Sequence, residues 1–183
     1  MNLKAPQNVE FLFLIKKEFN TNYTDLHKLS NQHLNKLPNK IMYKELKKFK
    51  TNNQFNYTTD DSLEEVCNAS ENGSGVFLVY AVDGEEKELI MVGSTGTVQN
   101  DGTLKSKNGG LFDKIVNGHQ FAKTGRKYTW PTQMKSENIS RLEVYWYETF
   151  NAKTKVIPTY MEGLILQNFL DENARLPRWN VAF

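Results

Sequence analysis

The chain has 183 residues, 39% hydrophobic and 24% charged, with a net charge of +2. That is the composition of a soluble globular protein, long enough for one core plus an appendage. A single cysteine, Cys67, excludes an intramolecular disulfide and any zinc site built from cysteines.

The charge is unevenly spread. Residues 1–58 hold ten lysines and four acids, a balance of +6, and residues 59–183 hold 13 basic and 17 acidic residues, a balance of −4. Within the latter, residues 103–135 carry seven basic residues and one acid, Asp113. Two basic regions suit a phosphate-backbone partner, although each is also what a solvated face looks like. The apolar run Phe11-Leu12-Phe13-Leu14-Ile15 is too short to span a membrane and meets Lys16-Lys17 at once. Nothing near it resembles a signal peptide, so the expected location is the cytoplasm, with no membrane partner.

In chain order, residues 1–50 read as two or three short basic helices, interrupted at Pro38. Residues 51–60, rich in Asn, Thr and Asp, read as a linker, and Ser62 to Cys67 as a short helix capped by Asp60, Asp61 or Ser62. Asn72-Gly73-Ser74-Gly75 marks a boundary. Three segments follow from this: a basic helical extension over residues 1–58, a linker with a short helix over 59–73, and a domain over 74–183.

That domain opens with a β-rich run, Val76 to Val82. Asp83-Gly84 is a hairpin signal, and Glu88 to Gly93 is the returning strand. Ser94 to Gly110 reads as a long polar excursion, Leu111 to Gly118 as two turns of helix, and Leu142 to Tyr147 as an alternating strand. A helix from about Pro158 closes the domain. The predicted class is α+β: a small, mostly antiparallel three-stranded sheet flanked by helices.

Glu162 is the most informative residue. Ile165, Leu166 and Phe169 stand three, four and seven positions beyond it, so its side chain belongs to the core side of the last helix. An uncompensated carboxylate is expensive there. Two readings remain open: Thr159 and Glu162 form a capping box after Pro158, or Glu162 holds a metal ion.

Leu78-Val79-Tyr80 on one strand and Met91-Val92-Gly93 on the next, then the helix around Lys114 and the helix bearing Glu162, form an ordered set that resembles the GIY-YIG nuclease family, its restriction-enzyme branch in particular, over residues 74–183. The resemblance implies a divalent-metal-dependent endonuclease acting on double-stranded DNA. Glu162 would be the ligand of one Mg²⁺ or Mn²⁺ per site and Tyr80 the general base. Lys114 would stand in the arginine position, and His119 would contact the scissile phosphate. Asn180 matches an asparagine near the end of the family's domain and joins Lys105, Lys107, Lys123, Arg126 and Lys127 as DNA contacts.

The pattern departs from the family at two positions. Met91 replaces a tyrosine, so orientation of the water or base must come from elsewhere, with Lys105 and Lys107 as candidates. Lys114 replaces an arginine and lacks its planar fork, and Arg126 is the nearest true arginine. These departures suit a DNA-binding module with impaired catalysis as the alternative. Tyr80 also reads as a sheet aromatic, His119 as a solvated loop residue, and Tyr128 and Trp130 as either base-stacking or core. A double-strand break needs two sites, which suits a homodimer.

Overall fold

Apolar strands buried on both faces build the centre of the molecule. The computed structural model describes residues 43–106 and 108–183. Six strands occur among them: β1 (Asn52–Tyr57), β2 (Ser74–Asp83), β3 (Glu86–Thr95), β4 (Thr97–Val98), β5 (Leu104–Lys105) and β6 (Arg141–Phe150). The helices are α1 (Leu63–Val66), α2 (Gly110–Val116), α3 (Arg126–Ser136) and α4 (Pro158–Asn173), with a 3₁₀ turn at Lys44–Lys48. The class is α+β. The main sheet has four strands in the order β1-β6-β2-β3, all antiparallel.

The three-stranded expectation is corrected by β1. Residues 51–60 are not a linker: Phe55 and Tyr57 are buried while the Asn and Gln residues of β1 face water. An edge strand needs only two inward side chains here, and its polar remainder looks like a loop in sequence. The compact unit runs Met42–Phe183, so it takes in residues 43–73, which the sequence reading had set outside the domain. The helices expected before residue 43 lie outside the described residues.

The sheet is covered on both faces. One core gathers Phe77, Val79, Ile90, Met91, Leu111, Ile115, Trp130, Val144 and Trp146 beneath α2 and α3. The other gathers Val76, Leu78, Tyr80, Leu89, Val92, Tyr147 and the α4 residues Met161, Ile165, Leu166 and Phe169, closed by Tyr43, Leu46 and Phe49. Strand β2, in the interior of the sheet, is therefore buried on nearly every side.

The β2–β3 register shifts between Val79, which pairs with Met91, and Tyr80, which pairs with Leu89. Ile90 is the extra residue, a β-bulge. It puts Ile90 and Met91 into the same core and sends Val92 to the other. Beyond it, Gly93 lies opposite Phe77. A Cβ on Gly93 would come within 2.5 Å of the Phe77 ring, so only glycine fits.

Helix α3 is absent from the sequence reading. Its buried stripe is Arg126, Thr129, Trp130 and Met134, half of it polar, and Pro131 lies inside it. The 94–110 excursion holds the small β4–β5 hairpin, turned at Gly102 with φ of 79°.

Candidate active site

Strand β3 is an edge of the sheet, and beside Gly93 its edge opens into a cleft of about 460 Å³. The walls include Met91 to Thr97 of β3 and its continuation, Lys114 of α2, His119, Gln120, Arg126 of α3, Thr159 and Glu162 of α4, and the chain from Trp179 to Ala182. Side chains from helices on both faces of the sheet thus meet around one glycine.

Glu162 does not cap its helix. The N-cap is Ile157 with Pro158 at the first helical position, and no side chain closes the terminus. Instead, Ser94 Oγ donates to Glu162 Oε2 at 2.5 Å. Burial raises the Glu162 carboxyl above the usual range; the Ser94 hydrogen bond and the charges of Lys114 and Arg126 oppose the rise without cancelling it. Glu162 is the one acid among the described residues of the cleft wall.

Arg126 is 4% exposed. Its Nε donates to Gln120 Oε1 at 3.1 Å, its Nη1 donates to the Lys114 carbonyl, and its guanidinium lies over the rings of Phe77 (5.5 Å) and Trp130 (6.0 Å). Burial lowers its pKa to about 10, against the opposing pull of Glu162. It remains cationic at neutral pH. Lys114 and His119 reach the cleft from α2 and from the turn that follows it. His119 bridges to Gly125, which closes the loop whose exposed tip carries Lys123.

Tyr80 is not there. It is 7% exposed in the α4-side core, edge-on to Tyr145, with the Lys87 ammonium 5.2 Å from its ring. Burial first, then the neighbours Tyr43, Tyr147 and Tyr145, push its phenol above the ordinary value, the wrong direction for a base. The residue opposite Gly93 is Phe77, which has no proton to exchange. The phenolic base inferred for Tyr80 is corrected on both counts.

The DNA contacts divide. Arg126 lies in the cleft. Asn180 lines it too, but its carboxamide accepts from Val92 N and donates to Val92 O, both at 2.8 Å, and so completes the sheet edge like a strand residue. Lys127 turns to Glu64 of α1 at 2.7 Å. Lys105 is exposed on β5 and Lys123 on its loop, and neither is in the cleft wall; Lys107 lies outside the described residues. Trp130 is core, packed between Tyr57 and Trp179, whereas Tyr128 is 66% exposed.

The sequence reading missed Ser94, Thr95 and Gln120. Thr95 is buried in the cleft wall with a hydroxyl that has no hydrogen-bond partner among the described residues. A position one or two residues past Gly93 was the available signal. Gln120 had none: its partners Arg126 and Trp130 lie on α3, which the sequence does not announce, and Trp179 is 59 residues away.

A magnesium-type ion is commonly held by one or two carboxylates with water and substrate oxygens completing its shell. Glu162, with no hydrogen bond on Oε1 among the described residues, fits such an open site. No group of three or more His, Cys, Asp and Glu side chains suited to a metal exists among the described residues. No helix among them is long and apolar enough to cross a membrane. Neither protein-family models nor curated proteins nor solved structures gave any match to this chain.

Proposed function

We propose that the protein is a divalent-metal-dependent endonuclease that hydrolyses DNA phosphodiester bonds in the manner of the GIY-YIG family. The observation that carries the reading is the convergence of Glu162, Lys114 and Arg126 on one cleft beside Gly93. A carboxylate between two cations, open to solvent on one side, suits an anionic substrate brought in with a cation.

Glu162 is the metal ligand, with the Ser94 hydroxyl fixing its rotamer. When bound, the ion would neutralise charge developing on the phosphate and the departing oxygen. Arg126 and Lys114 stabilise the same charge from the opposite wall, in a half-buried setting where a fixed cation counts for more than in water. His119, at the cleft and exposed, takes the proton of the attacking water, the role that Tyr80 does not fill. Double-stranded DNA as substrate, with two copies of the chain supplying two cuts, completes the proposal.

The test is incubation of the purified protein with plasmid and Mg²⁺ or Mn²⁺. Metal-dependent nicking that disappears in Glu162→Ala supports the reading, and nicking that persists in that variant rejects it. One observation favours a second reading: no phenol among the described residues lines the cleft. Salt-sensitive DNA retention with no cleavage in either metal identifies a binding module instead.

A further inference from the structure

We infer that Gln120 is a positioning residue that fixes Arg126 with one edge of its guanidinium turned toward a phosphate in the cleft. The inference rests on the reading of the cleft as a phosphodiester site.

Two of the three guanidinium nitrogens of Arg126 are tied down: Nε by Gln120 and Nη1 by the Lys114 carbonyl. Nη2 makes no hydrogen bond among the described residues, yet it is not among their sealed-off polar atoms. In a residue that lines the cleft, that nitrogen is the edge left for a ligand. A guanidinium recognises phosphate through N–H groups held in a plane, so the orientation of the plane decides whether the contact forms.

Ring stacking cannot supply that orientation. The faces of Phe77 and Trp130 hold the guanidinium at a distance but let it slide and rotate within its plane. Gln120 supplies the missing restraint. Its Oε1 accepts from both Arg126 Nε and Trp130 Nε1, at 3.1 and 3.0 Å. Its Nε2 donates to the Trp179 carbonyl at 2.9 Å. A flipped carboxamide would aim its NH₂ at two donors, so one orientation is selected. Because the carboxamide is neutral, Arg126 keeps its full charge for the ligand. A carboxylate at this position would hold the arginine equally well and cancel that charge.

The experiment uses the full chain labelled with ¹⁵N-arginine, titrated with inorganic phosphate and observed through the Arg126 side-chain signals, beside metal-activated cleavage kinetics. In the native protein phosphate shifts the Arg126 signals. Gln120→Leu weakens that binding about tenfold and lowers kcat roughly 10- to 100-fold with KM nearly unchanged, the scale of a misplaced charge. In an Arg126→Lys background the same substitution changes kcat less than about twofold, because the two residues act as one unit. An equal loss of kcat in both backgrounds means that Gln120 acts independently of Arg126 and overturns the inference.

Gln120→Leu leaves Trp130 Nε1 without its acceptor and can fail to fold. Gln120→Glu keeps both acceptor bonds, so an Arg126 Nε–H that exchanges with water as fast in that folded variant as in free arginine also overturns the inference. Arg126 signals that answer phosphate in a protein that never cleaves DNA remove the nuclease reading and leave the role of Gln120 standing. Cleavage without any Arg126 response to phosphate removes the role of Gln120 alone.

Discussion

Two clusters of charge and aromatic rings sit on the same hairpin, and they behave in opposite ways. Near its turn, Lys87 pairs with Glu143, donates to the Tyr145 hydroxyl at 2.8 Å and lies over the Tyr80 and Tyr145 rings, while Tyr145 donates to Glu143 at 2.8 Å. Burial pushes the Glu143 carboxyl up, but hydrogen bonds from Lys87 and Tyr145 and the charges of Lys87 and Arg141 outweigh it and hold it below the usual range. At the other end, past the bulge, Glu162 has one neutral hydroxyl as its hydrogen-bond partner, and its carboxyl is raised. The first cluster satisfies its own charges and stabilises the fold. The second leaves its acid short of compensation, the condition under which an outside cation binds well. A buried tyrosine beside a lysine therefore marks a structural cluster here, and the functional candidate is the acid that the protein leaves incompletely paired.

The largest expected effect tests the open cluster. Glu162→Gln lowers metal-activated plasmid nicking by roughly 10³-fold, on the scale of removing one group that stabilises the transition state. Thermal unfolding should show no loss of stability, because the removed charge is one that the fold disfavours.

Gly93→Ala drives a methyl group into the Phe77 ring and destabilises the protein by about 1–3 kcal/mol in urea unfolding. Lys87→Met leaves Glu143 half-buried without its ammonium, costs about 1.5–3 kcal/mol, and leaves any nicking activity unchanged. A loss of activity without a loss of stability would move function to the wrong end of the hairpin.

The two acids also differ in the sign of their pH response. With its raised pKa, Glu162 binds a proton more tightly in the folded than in the unfolded chain. Stability from this group is greatest below the ordinary glutamate value of 4.5 and falls as pH rises through the raised value. Glu143 does the reverse: its contribution is present above 4.5 and fades as pH falls through its lowered pKa. Glu162→Gln should flatten the slope above 4.5 and Glu143→Gln the slope below it, measured by unfolding across the acid range. The smallest effect is that of Tyr80→Phe, which should leave nicking within about twofold, since a phenol outside the cleft takes no part in the proton transfer.

Helix α4 was readable because Glu162, Ile165, Leu166 and Phe169 recur at helical spacing, and Asp83-Gly84 announced the hairpin turn. The inward direction of Glu162 followed from that spacing alone. Its partner did not, because Ser94 lies 68 residues away and no local pattern encodes such a contact. Tyr80 was misjudged for a different reason. Strand alternation says that neighbours face opposite ways but not which face meets the cleft, and the bulge at Ile90 changes the count midway. Strand β1 was hidden by its asparagines, and α3 by a buried arginine that resembles a surface residue in sequence.

The extra residue at Ile90 makes β3 one residue longer than the stretch of β2 that it pairs with. Removing one residue from β3 between the hairpin turn and Gly93 would consume the bulge: the Tyr80–Leu89 and Val79–Met91 pairs would become neighbouring rungs of an unbroken ladder, and Ser94 would stay on the α4 side. Removing a second residue would leave no bulge to consume, turn Ser94 toward α2 and take the hydroxyl partner from Glu162. The segment thus holds a reserve of one residue, a constraint on insertions and deletions that no single side chain reveals.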